Sequence, residues 1–183
     1  MQTHTTDIQA RLAGRATGAM FFVVFGGVWL EVWVRRIRGG IVPGVAIALI
    51  AAGFLAAAWL RYRRYAPALA RQQDTPERRR AKRVFHTLNA AQWTLILVLG
   101  NLLAHNGMGM WVVPMGITVI GLHFVPLALV FRNPPHYVTA AALVVFAIAY
   151  PLVARGGPAD PVGFLGAGLI LWLSALWALR ARG

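Results

Sequence analysis

The chain of 183 residues has no cysteine and few acidic residues. The absence of cysteine excludes disulfides, thiolate metal ligands and thiol nucleophiles within the chain. Five Asp and Glu residues stand against 18 Lys and Arg residues, while 58% of the chain is hydrophobic. A soluble domain of this size would lack the charged surface it needs, whereas helices that face lipid need none. The composition therefore indicates a membrane protein.

Long apolar runs fill most of the sequence. Each has about 18 to 22 residues, enough at 1.5 Å rise per residue to cross a hydrocarbon core about 30 Å thick. The six runs are Thr17 to Val34, Ile41 to Leu60, His86 to His105, Met110 to Phe131, Tyr137 to Ala154 and Val162 to Leu179. We therefore predict an all-α integral membrane bundle of six transmembrane helices, forming one domain over residues 1–183 in the lipid bilayer.

Basic residues are concentrated between the second and third runs, in residues 61–85, which we call the basic segment. Cytoplasmic loops carry an excess of Lys and Arg, so this segment is predicted to be cytoplasmic. Six spans then place both termini inside, together with 14 of the 18 basic residues. The four that fall outside are Arg35, Arg36, Arg38 and Arg155. The preference for arginine, with Lys82 the only lysine, is typical of GC-rich bacterial genomes. We expect a bacterial inner membrane protein.

The basic segment has two interpretations. It is either the topology signal alone or a site for anionic lipid head groups or an acidic partner, at about 1 kcal/mol per basic residue near the surface. Membrane topology accounts for the net charge of +13, so no nucleic-acid partner is expected. Thr75-Pro76-Glu77 predicts a capped helix that starts in the segment and continues into the third span. The candidate head-group residues are Arg78, Arg79, Arg80, Lys82 and Arg83.

The fourth run contains a histidine close to mid-bilayer, in Gly121-Leu122-His123-Phe124-Val125-Pro126-Leu127-Ala128. Pro126 has no amide hydrogen and its ring opposes the Leu122 carbonyl, so we predict a helix kink in the turn that carries His123. Pro114 is predicted to loosen the same helix nearer its outer end. His123 either hydrogen-bonds a neighbouring helix or serves a ligand or proton pathway.

The third run is the most polar. At 100° per residue, Thr94, Asn101 and His105 fall within about 40° of one another and form one stripe. Facing the fourth span, this stripe would join His123 in an interior polar cluster; otherwise it provides interhelical hydrogen bonds. Glu31 is the only acid within a run, and either pairs with Arg35 four residues later or turns inward as a proton or cation acceptor.

Small residues mark predicted packing faces, because they let helix backbones approach closely. Ala48, Ala52 and Ala56 recur at four-residue spacing in the second run, and Gly163 precedes Ala167 in the sixth.

Other chemistry has little support in the sequence. A zinc or di-iron site lacks carboxylates, and a transmembrane haem would have only His105 to pair with His123. Ser174, the only serine, has no histidine near it in sequence. We therefore expect no metal, no cofactor and no catalytic residue, and a membrane-embedded enzyme is the least favoured function.

The Gly-Leu-His-Phe-Val-Pro-Leu-Ala run, followed by Phe131-Arg132, resembles a pattern in small bacterial polytopic membrane proteins of unassigned function. Gln92-Trp93 through Asn101 resembles it more weakly. The resemblance implies no activity. The residues themselves support two hypotheses: binding or transport of a small solute, proton or lipid-like ligand through a polar interior of the third and fourth spans, or a membrane scaffold or accessory subunit that binds a protein partner. An oligomer is compatible with either.

Overall fold

The computed structural model describes residues 2–71 and 75–180, with side chains from residue 7 onward. Asp74 and Arg182, which belong to the predicted charge pattern, lie outside the described residues. The helices are α1 (Gln2–Arg36), α2 (Ile41–Ala70), α3 (Pro76–His105), α4 (Val112–Val130), α5 (Pro135–Val153) and α6 (Val162–Arg180). Two short 3₁₀ turns, Gly109–Trp111 and Gly157–Ala159, precede α4 and α6.

Six of these described helices are long and apolar enough to cross a membrane. The predicted all-α fold of six transmembrane helices is confirmed, and the chain is a polytopic membrane protein. The first three helices are longer than their apolar runs, because α1 begins at Gln2, α2 continues to Ala70 and α3 begins at Pro76. Ten helical residues beyond Leu60 extend roughly 15 Å past the apolar run. Most of the basic segment is therefore carried on helix ends.

The start of α3 agrees with its predicted cap. The Thr75 side chain accepts a hydrogen bond from the backbone N–H of Arg78 at 3.4 Å, and Pro76 occupies the first helical position. Proline is favoured there because the amide it lacks would have no partner within the helix. The helix then runs without interruption into the third span.

Contacts divide the chain into two compact units, and the prediction of a single domain stays a prediction. The first unit comprises α1, α2 and the part of α6 from Gly168 onward. Within it α1 packs along α2, and Ala13, Ala16 and Ala19 are fully buried. The face of α2 that is buried differs from the predicted small-residue face. Ala48, Ala52 and Ala56 are exposed, whereas Ala58 is fully buried.

An indole ties α6 to α1 in the first unit. Trp172 donates its Nε1–H to the backbone carbonyl of Val23 at 3.0 Å, and Phe54 of α2 meets the indole edge-on with the ring centroids 5.6 Å apart. Gly26 provides the space for the indole, because a Cβ there would lie 2.5 Å from Trp172 Cδ1. A buried indole N–H needs such an acceptor.

The second unit comprises α3, α4, α5 and α6 as far as Ala167. The α4–α5 contact is close at Gly121, where a Cβ would meet Val144 Cγ2 at 2.8 Å. Ile117 and Leu143 are fully buried beside it. The Tyr150 hydroxyl donates to the Pro158 carbonyl at 3.0 Å. Close approach at a glycine gives van der Waals contact, which holds membrane helices together where lipid removes the hydrophobic driving force.

The sixth span uses its predicted small residues. A Cβ at Gly163 would lie 2.7 Å from the Tyr150 ring, and Ala167 is 1% exposed. The helix start is held by Asp160, whose Oδ1 accepts from the backbone N–H of Val162 and whose Oδ2 accepts from that of Gly156, both at 2.9 Å.

Candidate functional site

The predicted polar stripe of the third span lies on an exposed side of α3. Thr94, Asn101 and His105 are all exposed, and no residue of α3 is buried. We call these three residues the α3 polar face. The structure does not bring them together with His123 in an interior cluster, which is the first of the two arrangements that the sequence allows for this stripe.

The side of α3 that packs is nearly opposite to the polar face. At about 100° per residue, it lies roughly 160° around the helix axis from the α3 polar face. Gly100 marks the contact with α4, because a Cβ there would lie 3.8 Å from Met115 Cε and Val112 Cγ1. The partly covered residues on this side are Leu88, Gln92, Ile96, Leu99 and Leu103. These side chains, and not the polar stripe, face α4.

Asn101 is the centre of the α3 polar face. Its Nδ2 donates to the Leu97 carbonyl one turn earlier at 2.7 Å, a bond within its own helix. A carboxamide has two donor hydrogens and an acceptor oxygen, so this bond uses part of its capacity. Polar groups transferred from water without compensation cost about 1 to 3 kcal/mol, so a polar group on an adjoining helix would stabilise Asn101 in a membrane.

His123 occupies a different environment, among α3, α4 and α5. It is partly buried, and the Leu88 backbone on α3 is part of its electrostatic surroundings. The Phe124 ring lies 5.8 Å from the imidazole, centroid to centroid. His136, near the start of α5, interacts electrostatically with His123. A second imidazole therefore lies close to His123, and both interpretations of His123, interhelical contact and ligand or proton pathway, stay predictions.

His136 is a polar group that the sequence analysis missed. Its Nε2 lies 3.0 Å from Nδ2 of Asn133, and its ring centroid lies 5.7 Å from that of Phe124. The tight turn at Asn133-Pro134-Pro135 was the available signal, because it folds α5 back along α4. A residue just after this turn approaches α4, which is how His136 reaches the neighbourhood of His123.

Glu31 lies in the first unit, against the start of α2. Its Oε2 is 3.1 Å from the position that a Cβ on Gly44 would occupy, so the glycine permits this approach. The first turn of a helix carries unpartnered N–H groups and partial positive charge, which favour a carboxylate. Gly40, the N-cap residue of α2, offers no side-chain bond. This placement sets Glu31 beside the first turn of α2; its predicted pairing with Arg35 and its predicted role as a proton or cation acceptor stay predictions.

The two prolines of the fourth span lie at different points of α4. Pro126 is inside the helix, which runs from Val112 to Val130. Pro114 is in its first turn, where amides have no partner within the helix in any case, and its carbonyl accepts from Thr118 Oγ1 at 2.9 Å. The predicted kink at Pro126 and the loosening at Pro114 stay predictions.

The candidate head-group residues surround the first turns of α3. Arg78, Arg79, Arg80, Lys82 and Arg83 are all exposed. At about 100° per residue their positions span roughly 200° of the helix circumference, so they form a broad exposed surface, the charged collar, and not a pocket. Binding of anionic lipid by this collar stays a prediction.

In the part of the chain that the structure describes, no three His, Cys, Asp or Glu side chains are grouped to hold a metal ion. Comparisons with protein-family models, with curated proteins and with solved structures found no match. The six apolar helices make the chain a polytopic membrane protein.

Proposed function

We propose that this protein is a membrane scaffold or accessory subunit that holds a partner protein through the α3 polar face. The observation that carries the proposal is the exposure of Thr94, Asn101 and His105 on one side of a membrane-length helix. Hydrocarbon offers these groups no hydrogen bonds, whereas a transmembrane helix of a partner offers hydroxyl, amide or backbone groups.

The spacing of the polar residues on the α3 polar face indicates which groups a partner helix would carry. Thr94 and Asn101 are seven residues apart, which is about 10 Å along a helix. A partner helix lying alongside would therefore present two polar groups about 10 Å apart, with apolar residues between them. Each interhelical hydrogen bond contributes about 0.6 kcal/mol on average, so these groups fix register and partner choice more than affinity.

Apolar side chains beside the polar face provide the rest of the contact. Leu97 is 61% exposed and Val98 is 57% exposed. Van der Waals packing drives much of helix association in membranes, and large side chains at such a surface give it area. The proposed interface is therefore a mixed one, with a polar line inside an apolar surface.

The test compares two sides of the same helix. A double variant, Thr94→Val with Asn101→Leu, removes two hydrogen-bonding groups while leaving an apolar membrane helix. Gln92→Leu is the matched control, because Gln92 is polar but lies on the side that faces α4. In mild detergent, the wild-type protein and the control should each migrate on a native gel at the mass of a complex with the partner. The double variant should migrate at its own mass. Migration of the wild type at its own mass alone would contradict the proposal.

A second candidate, binding or transport of a small ligand or proton, is favoured by the closeness of two imidazoles, because the rings of His123 and His136 both lie near the Phe124 ring, at 5.8 and 5.7 Å between centroids. Imidazole is the side chain that most readily exchanges a proton near neutral pH. The test is a pH titration of the histidine ring resonances in nanodiscs, with His123→Gln used to assign the signal. A proton pathway requires the His123 signal to titrate between about pH 5 and 8. A signal that stays constant over this range would leave His123 as an interhelical contact only.

The membrane and its orientation are proposed from charge. The excess of Lys and Arg in the basic segment supports a cytoplasmic location for that segment and for both termini, and we propose the bacterial inner membrane as the location. Labelling of single cysteines from either side of the membrane tests this orientation.

A further inference from the structure

A cleft opens in the first unit where α2 leaves its apolar run. It has a volume of about 340 Å³ and is lined by Ala57, Leu60, Arg61, Arg64, Tyr65 and Leu179. We call it the α2–α6 cleft. It shares no residue with the α3 polar face, so a ligand bound in it would add a function to the proposed partner binding.

The cleft lies at the depth of a membrane interface. Arg61 directly follows the 20-residue apolar run Ile41 to Leu60, which is about 30 Å long and therefore matches the hydrocarbon thickness. Trp59 and Tyr62 stack there with their ring centroids 5.9 Å apart. Tryptophan and tyrosine are enriched at the level of lipid head groups, because their rings are apolar with a polar edge.

Two guanidinium groups give the cleft its charge. Arg61 donates from Nη1 to the backbone carbonyl of Leu179 in the last turn of α6, which fixes the side chain at the cleft. Arg64 is exposed, and its guanidinium carbon lies 5.7 Å from the centre of the Tyr65 ring. No carboxylate is among the six lining residues. The cleft is therefore cationic, and its guanidinium groups have the planar donor geometry that suits phosphate oxygens.

The remaining lining is apolar and continues toward the hydrocarbon side. Ala57 and Leu60 precede Arg61 along α2, and Leu60 is 65% exposed. A small soluble anion would gain nothing from these side chains. A phospholipid matches both parts, with a phosphate at the arginines and an acyl chain against Ala57 and Leu60.

We propose that the α2–α6 cleft binds an anionic phospholipid, with the phosphate held by Arg61 and Arg64 and one acyl chain lying along Ala57, Leu60 and Leu179. The site differs from the charged collar at the start of α3, because it joins a cationic part to an apolar part in one concave surface.

The experiment measures lipid bound to the purified full-length protein in detergent by native mass spectrometry. The probes are phosphatidylglycerol, phosphatidylcholine of the same chain length, and inorganic phosphate as competitor. Arg64→Gln should weaken phosphatidylglycerol binding about five-fold, as expected for the loss of one basic residue near an anionic head group. Ala57→Phe keeps both arginines but fills the cleft, so it should also weaken the binding of phosphatidylglycerol.

Arg63→Gln is the matched control, because Arg63 is exposed next to Arg64 but does not line the cleft. The proposal requires it to bind phosphatidylglycerol as the wild type does, and it requires phosphatidylcholine to bind more weakly. Equal losses in the Arg63 and Arg64 variants would overturn the proposal in favour of general surface attraction. Unchanged binding by Ala57→Phe, or full displacement of the lipid by millimolar inorganic phosphate, would also overturn it.

Discussion

Asp160 shows how one side chain closes the connection between α5 and α6. Its carboxylate accepts from the backbone N–H groups of Val162 and Gly156, and these two bonds lower the pKa of the carboxyl below its usual value. Because the pKa is lower in the folded state, the carboxylate stabilises the turn above its unfolded pKa. That stabilisation is lost as the pH falls through the folded pKa.

We expect amide exchange at Gly156 and Val162, corrected for intrinsic rate, to accelerate relative to the rest of α6 as the pH falls below about 4, the range where an ordinary aspartate becomes protonated. Asp160→Asn has no carboxylate to titrate and only one acceptor oxygen. Its turn should therefore be less protected from amide exchange, and this protection should not depend on pH. Equal protection in both proteins across this range would contradict the assigned role.

The sequence predicted which polar residues lie within the spans, but not which residues surround them. His123 was predicted to be in a span with either an interhelical or a pathway role, and it is partly buried within α4. Its neighbour His136 was not predicted, because it follows a turn and its position depends on how α5 folds back. Glu31 was predicted to face Arg35 or the interior; the contact with Gly44 requires knowing where α2 begins in space.

At the level of the helix, hydropathy predicted the number of spans and only the minimum length of each. Apolar length defines what the bilayer contains, but helical structure continues into polar sequence wherever propensity and capping permit, as at Arg61 to Ala70 and Pro76 to Arg83. Which face of a helix packs was harder to predict. On α3 the angular calculation grouped the polar residues correctly, yet the opposite face contacts α4, because lipid and protein are equally apolar surroundings for leucine.

The α1–α6 contact provides a test of helix packing. Gly26→Ala would place a Cβ 2.5 Å from Trp172 Cδ1 and 3.0 Å from the Gly168 carbonyl oxygen. Trp172 is held by its bond to Val23, so the clash should lower the free energy of unfolding by about 1 to 3 kcal/mol, as overpacking usually does. Unfolding in a mixed-micelle denaturant titration measures this value.

Gly53→Ala is the control, because a Cβ there would meet nothing within 4 Å. Alanine is the better helix former by about 0.5 to 1 kcal/mol, so this variant should be as stable as the wild type or more so. If Gly26→Ala were equally well tolerated, the close approach of α1 and α6 at this glycine would be wrong.

For the whole molecule, the charge distribution makes a prediction about orientation. Single cysteines can be introduced cleanly, because the chain has none. Ala70 and Ala159 are suitable sites, since both are exposed, whereas Gly157 has a positive φ of 59° that strains other residues. We expect Ala70→Cys to react with a membrane-impermeant maleimide only after the cytoplasmic side is opened, and Ala159→Cys to react in intact cells. The reverse labelling pattern would show that the orientation in the membrane is opposite to the proposed one.

The central claim is that a partner protein contacts the α3 polar face within the membrane. Its most direct test is a photo-crosslinking amino acid at position 101, with the same group at Leu99 on the packed side as control, activated in native membranes. We predict a discrete adduct heavier than the chain from position 101 and none from position 99. An adduct of twice the chain's mass would identify the partner as a second copy. Lipid adducts alone at position 101, with no protein adduct, would contradict the claim.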